Sequence, residues 1–213
     1  MPKPAGPVAR KSDYEVVAIP FAPKVKTARA QEARKLLREQ HYACGGPNTA
    51  VLMAGLVRKD TDELVGVAQF LPTSPPAARY TARRCSNTSP KQVLALSRLV
   101  VDRDEPQNAA TILIGAALRR LKKDRRWSAV VSYADEAEGH VGTVYKASNW
   151  LECGKSAPRE RWVNDAGCQV GRKATRDRTV RELEALGFRR GGKSSKRRFL
   201  YALRGACSCD VTR

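Results

Sequence analysis

The sequence predicts one α/β domain with a basic appendage, on three observations. Strand-like and helix-like runs alternate over the first 154 residues, hydrophobic residues make up 42% of a 213-residue chain, and cationic residues crowd the last 59 positions. That alternation is the α/β plan, and the apolar content suffices for one sizeable core.

The elements follow in order. Residues 1–12 are polar, Pro-rich and basic, which predicts a mobile arm. DYEVVAIP (13–20) alternates and is rich in β-branched residues, as a first strand would be. From Thr27, an N-cap residue type, Ala30, Ala33, Leu36, Leu37 and Gln40 recur at helical spacing. The helix should end near His41-Tyr42, because Cys44-Gly45-Gly46-Pro47 stops it. TAVLMAGLV (49–57) and ELVGVAQFL (63–71) flank a polar turn and predict an antiparallel hairpin. Residues 72–90 lack apolar periodicity and predict an exposed loop. QVLALSRLVVD (92–102) predicts a central strand, residues 108–124 a helix with an apolar face, and SAVVSYAD (128–135) a buried strand. A short helix over 139–149 and a strand over 150–154 complete the core. Within the basic part, 179–188 predicts a short helix ended by Gly187, and 196–203 a closing strand.

Charge narrows the function. Forty Lys and Arg stand against 21 Asp and Glu, a formal net charge of +19. Residues 155–213 hold 16 of the cations against 6 acidic residues. Phosphates neutralised by Lys and Arg release counterions, so nucleic acid is the expected partner. No run of about 18 apolar residues could span a bilayer, and the Pro-rich start lacks the apolar core of a signal peptide. The expected setting is therefore soluble and intracellular. Cys44, Cys85, Cys153, Cys168, Cys207 and Cys209 lack the paired spacing of a structural zinc site and predict reduced thiols; Cys207-x-Cys209 leaves metal binding or oxidation open.

Four constellations could carry chemistry. His41-Tyr42 closes the first long helix at an expected cleft edge, or simply packs there. In residues 132–150 a strand ends in Asp135 and the next helix brings His140 and Tyr145. Strand ends in α/β sheets open onto the ligand crevice, where such groups hold a hard metal or move protons; equally, Asp135 caps a helix and Tyr145 packs. The helix beginning near Asn108, with small residues Ala109, Ala110 and Thr111, offers free N–H groups to a cofactor pyrophosphate. Finally, RERWVNDAGCQVGRKATRDR (159–178) interleaves Trp162 with cations and reads as a flexible DNA-binding excursion. Its contacts are expected from Arg159, Arg161, Trp162, Arg172, Lys173, Arg176 and Arg178, with Lys196 and Arg197 beyond it.

With these pieces placed, residues 13–154 and the last strand resemble a GNAT N-acetyltransferase fold: a mixed central sheet flanked by helices, here with a basic insertion (155–195) before the closing strand and tail (196–213). The pyrophosphate loop of that fold matches Gln107-Asn108-Ala109-Ala110-Thr111, which has no glycine. Tyr145 matches the tyrosine that commonly protonates the departing thiolate. More closely, LSRLVV (96–101), residues 133–154 and His41-Tyr42 resemble the Mom family of phage DNA-modification proteins. The resemblance implies transfer of a carbamoylmethyl group to the exocyclic amine of adenine in double-stranded DNA, shielding a phage genome from restriction enzymes in the host cytoplasm. It implies acetyl-CoA near Ser97, Arg98, Leu99, Val100 and the Gln107–Thr111 loop. It implies iron at His41, Tyr42, Asp135 and Tyr145, and catalytic roles for Ser132, Asp135 and Tyr145. The competing readings are an N-acetyltransferase acting on a protein or RNA amine and a non-catalytic DNA-binding module. A homodimer is left open.

Overall fold

The computed structural model describes residues 8–209. Its main sheet has seven strands in the order β1-β2-β3-β4-β5-β9-β6. These are β1 Tyr14–Ala18, β2 Leu52–Arg58, β3 Leu64–Pro72, β4 Val93–Val101, β5 Ala129–Asp135, β6 Leu151–Lys155 and β9 Lys196–Ala202. All neighbours are antiparallel except β4 and β5, so the sheet is mixed.

The helices cover both faces. α3 (Ala109–Lys123) buries Leu113, Ile114, Ala117, Leu118 and Leu121, an i, i+4 stripe, in a cluster with Leu94, Leu96 and Val130. α4 (Thr143–Ala147) adds Tyr145 to that cluster. The opposite face takes α1 (Ala28–Gln40), whose Ala30, Ala33 and Leu37 pack with Met53, Val67 and Val100. It also takes α2 (Pro75–Ala82), through Ala78 beside Val93, Ala129 and Val131. As expected, Thr27 caps α1 by accepting from the Ala30 N–H. Gly142 is required at the start of α4: its φ is +81°, and a Cβ there would overlap the Phe199 ring.

Three sequence expectations are corrected. Residues 72–90 are not a bare loop, because α2 lies inside them; its buried positions are Ala77, Ala78 and Thr81, too small to register as an apolar stripe. The entry segment is anchored rather than mobile over its described part: Ala9 is buried, and Lys11–Asp13 form a 3-10 turn; residues 1–7 lie outside the described residues. The basic excursion is built, with β7 (Arg159–Val163) and β8 (Arg189–Ser194) forming an antiparallel ribbon around α5 (Arg172–Thr175) and α6 (Val180–Ala185).

The cysteines are also corrected. They are not reduced thiols but three pairs, Cys44–Cys168, Cys85–Cys207 and Cys153–Cys209. Partners 124, 122 and 56 residues apart meet only through the topology, so local spacing is blind to them. Closing a loop of this length restricts the unfolded chain, so Cys85→Ser with Cys207→Ser should cost about 2–5 kcal/mol. Denaturant unfolding of the oxidised protein and the double variant checks this; equal midpoints would contradict it.

Candidate active site

β4 and β5 pair only from Val93–Ala129 to Ala95–Val131. Beyond that the two strands part, which leaves the inner edge of β4 unpaired from Leu96 onward. At this fork Ser132 Oγ lies 3.1 Å from the Leu96 carbonyl and 2.8 Å from the Tyr145 hydroxyl. Burial, reinforced by nearby Tyr42 and opposed by the Ser132 bond, pushes the Tyr145 phenol up to about 12. The group therefore stays protonated at neutral pH, as a proton donor to a leaving group must.

One residue farther along β4, Ser97 is a β-bulge: Phe70 pairs with Leu96 and Gln69 with Arg98. The bulge turns Arg98 toward the segment that follows α1. Its Nε donates to the Gly45 carbonyl at 2.7 Å, and its Nη1 to the Ser97 carbonyl at 2.8 Å. Gln69, fully buried in an otherwise apolar strand, donates through Nε2 to the carbonyls of Pro47 and Thr49. A Cβ on Gly46 would sit 2.8 Å from Gln69 Oε1, so glycine lets the segment close over this amide. The Cys44–Cys168 bridge and a Gln169 N–H to the Tyr42 carbonyl then join the segment to the basic insertion. Sequence reasoning passed over Gln69; one amide within LVGVAQFL was its signal.

This clamped segment carries His41 and Tyr42. Their rings stack at 4.4 Å, and the exposed His140 ring lies 5.9 Å from Tyr42. Lys196 Nζ is 5.8 Å from the Tyr42 ring and forms an ion pair with the buried Asp135 at 2.8 Å. Asp135 faces Lys196 directly across β5 and β9, and its other oxygen accepts from Ser194 Oγ at 2.5 Å. Burial alone would raise this carboxyl, but the Lys196 and Ser194 hydrogen bonds outweigh it and hold the group below its ordinary value. His41 is pulled down to about 3, first by burial and then by Arg98, His140 and Lys196. It is therefore a neutral imidazole. Because its folded value lies below the usual 6.5, stability is full above 6.5 and falls as pH drops toward 3. The His41 ring resonances in an NMR titration should stay fixed from pH 8 to about 5; a midpoint near 6.5 would contradict the buried placement.

Of the four residues expected around iron, His41, Asp135 and Tyr145 have donor atoms engaged within the protein. His41 Nδ1 accepts the Ala43 N–H at 3.1 Å, which leaves the ring proton on Nε2, so neither nitrogen offers a free lone pair. Asp135 is paired with Lys196 and accepts from Ser194, and the Tyr145 hydroxyl meets Ser132 Oγ. Two cations, Arg98 and Lys196, also lie within electrostatic reach of His41. Among the described residues no group of three or more His, Cys, Asp or Glu side chains could hold a metal ion.

The expected pyrophosphate cradle differs as well. Asn108 does not cap α3 with its side chain. Its amide instead pairs with the Ala9 backbone, accepting at 2.6 Å and donating at 2.7 Å. Where the fold usually has glycine, an amide side chain here captures the incoming chain. The Ala109 N–H donates to the Pro106 carbonyl, and Thr111 turns back on Asn108. Leu99 packs on the α3 side of the sheet and Val100 on the α1 side.

The expected DNA contacts divide. Arg159, Arg176 and Arg178 are exposed, whereas the side chains of Arg172 and Lys173 lie outside the described residues. Arg161 is paired with Glu138, Lys196 with Asp135, and Arg197 with Glu136 and Glu152. Trp162 is 7% exposed, with Arg190 over its ring, so it packs the ribbon and offers no face to a base. Exposed Arg181, Arg189, Arg190 and Lys193 extend the basic surface beyond the residues picked out from sequence.

Comparison with known proteins agrees with this architecture. An acetyl-CoA complex of Arabidopsis thaliana NAA60 matches with a TM-score of 0.53 at 13% identity, over 88% of this chain and 99% of that one. The ribosomal-protein-S18-alanine N-acetyltransferase of Escherichia coli matches with a TM-score of 0.52 at 10% identity, over 91% and 96% of the two chains. At such identities the likeness establishes the GNAT fold alone. In sequence, the chain is 30% identical over 145 residues to the methylcarbamoylase mom of Escherichia phage Mu. That match covers 65% of this chain and 57% of the phage Mu protein, so the chain spans little more than half the length of that relative. The model of the Mom protein family matches residues 23–197, from before α1 into β9, and the chain belongs to that family.

Proposed function

We propose that this protein is a phage DNA-modification enzyme that transfers a carbamoylmethyl group to the exocyclic amine of adenine, protecting the DNA from restriction. The observation that carries the reading is the convergence of Tyr42, Lys196 and Tyr145 near the β4–β5 fork inside the family-matched segment. The kinship to the phage Mu methylcarbamoylase supplies the reaction class.

Each residue has a task its surroundings permit. An acyl-CoA would lie along the unpaired edge of β4, as the acetyl-CoA complex among the fold relatives suggests. Protonated Tyr145, held by Ser132, would donate to the leaving thiolate. His41, whose free proton is on Nε2, would act as a hydrogen-bond donor that orients the acyl group or the base. Lys196 and Arg98 would oppose anionic charge at the fork, and the adenine would be rotated out of the duplex to reach it. The exposed cations of the ribbon would grip the backbone. Forming the carbon–nitrogen bond replaces a methyl C–H and removes two electrons, so the reaction requires a two-electron oxidant such as dioxygen; an ammonia-level nitrogen donor displaces the CoA thiolate to give the amide.

The test is mass measurement of nucleosides digested from the DNA of cells that express the protein. A carbamoylmethyl-adenosine species is expected. Unmodified adenosine beside an acetylated protein or RNA would refute the reading.

A further inference from the structure

Tyr80 on α2 is clamped between two guanidinium groups. Arg84 Cζ lies 3.7 Å from its ring centroid and Arg198 Cζ lies 3.6 Å from it. The Tyr80 hydroxyl donates to the Cys153 carbonyl at 2.9 Å, which fixes the ring in place. Arg198 also lies 5.8 Å from the Tyr133 ring.

Stacking on an aromatic face is favourable for each cation, but it leaves their N–H groups to be satisfied in the guanidinium plane. Both Nε atoms are buried without a hydrogen-bond partner among the described residues, and Arg84 Nη1 donates to the Tyr80 carbonyl at 3.5 Å, so an anion from outside would be met by the remaining Nη groups. Carboxylates could have met this need, since the neighbouring strand residue Arg197 has Glu136 and Glu152. Among the described residues, however, no ion pair includes Arg84 or Arg198. The segment from Pro75 to Thr88 contains Arg79, Arg83 and Arg84 and no acidic residue. Arg79 and Arg83 are exposed. A cleft of about 580 Å³ opens beside Arg84, lined by Arg83, Ser86, Asn87 and Thr88. Two like charges held on either side of one ring, with no counter-charge among the described residues, describe a seat for an anion.

From this arrangement we infer that Arg84 and Arg198, splinted by Tyr80, hold a phosphodiester of the DNA. The inference rests on the DNA-modifying role proposed above. A DNA phosphate fits better than a cofactor phosphate because α2 covers the face of the sheet shared with α1, which ends in His41, and α3 lies on the other face. The ribbon and this seat would then grip the backbone at separate points.

Titrating duplex DNA with the full-length protein across a salt series tests the seat, comparing wild type with Arg84→Gln, Arg198→Gln and the double variant. Each lost phosphate contact should reduce the slope of log K against log salt by about 0.9. The double variant should bind at least about tenfold more weakly near 0.1 M salt, with its acetyl-CoA affinity unchanged. An unchanged slope in a variant whose thermal unfolding matches wild type overturns the inference. So does a loss of acetyl-CoA affinity with intact DNA binding, which would assign the seat to the cofactor. If the double variant does not fold, Arg84→Gln alone carries the comparison. Should wild type bind DNA yet leave adenosine unmodified in cells, the proposed reaction fails while the salt series still decides the seat.

Discussion

Asp135→Ala is expected to destabilise the protein by about 3 kcal/mol and to abolish modification. The carboxylate is almost wholly buried, and removing it strands the Lys196 ammonium and the Ser194 hydroxyl. Breaking a buried pair typically costs about 3–5 kcal/mol, and partial exposure of Lys196 places this case at the low end. Asp135→Asn keeps the shape and an acceptor oxygen, so it should cost less, about 1–2 kcal/mol. The pair also shapes the acid limb of stability. Because the folded carboxyl lies below its ordinary value, its contribution is complete above the usual carboxylate range and is lost as pH falls through the depressed value. Urea unfolding at neutral and acid pH should show this limb in wild type and a weaker one in Asp135→Asn. Equal stability of wild type and Asp135→Ala would contradict the ion pair.

Tyr145→Phe is expected to lower modification by about 10²–10⁴-fold while leaving the fold intact. The ring keeps its packing against Trp150 and Phe199, and Ser132 keeps the Leu96 carbonyl as a partner. Only the proton donor disappears. Single-turnover assays of DNA modification, paired with thermal unfolding, separate the two effects. Full activity in the Phe variant would remove Tyr145 from the proton-transfer role.

Much of this fold is legible in the chain, for physical reasons that differ by element. α3 announces itself through an apolar stripe of large side chains, α1 through Ala30, Ala33 and Leu37 at helical spacing behind the Thr27 cap, and β2 to β5 through runs of Val, Leu and Ala. α2 hides because its buried side chains are Ala and Thr, and because Pro75-Pro76, which can begin a helix, also mark loops. The candidate site divides the same way. His41, Tyr42, Asp135 and Tyr145 stand out as residue types, but their partners come from distant parts of the chain. Lys196 reads as one more cation in a basic tail until β9 inserts beside β5 and sets it opposite Asp135. Trp162 reads as an exposed aromatic among cations until the β7–β8 ribbon buries it. Asn108 in place of a glycine was visible, but its capture of Ala9 requires the entry segment to return across 99 residues.

The most direct measurement of the central claim is digestion of DNA from expressing cells to nucleosides, followed by mass analysis of the adenosine pool. Adenosine carrying a carbamoylmethyl group is expected with the wild-type protein, and its loss with Tyr145→Phe. A pool of unmodified adenosine, from cells in which the folded wild-type protein is abundant, would contradict it.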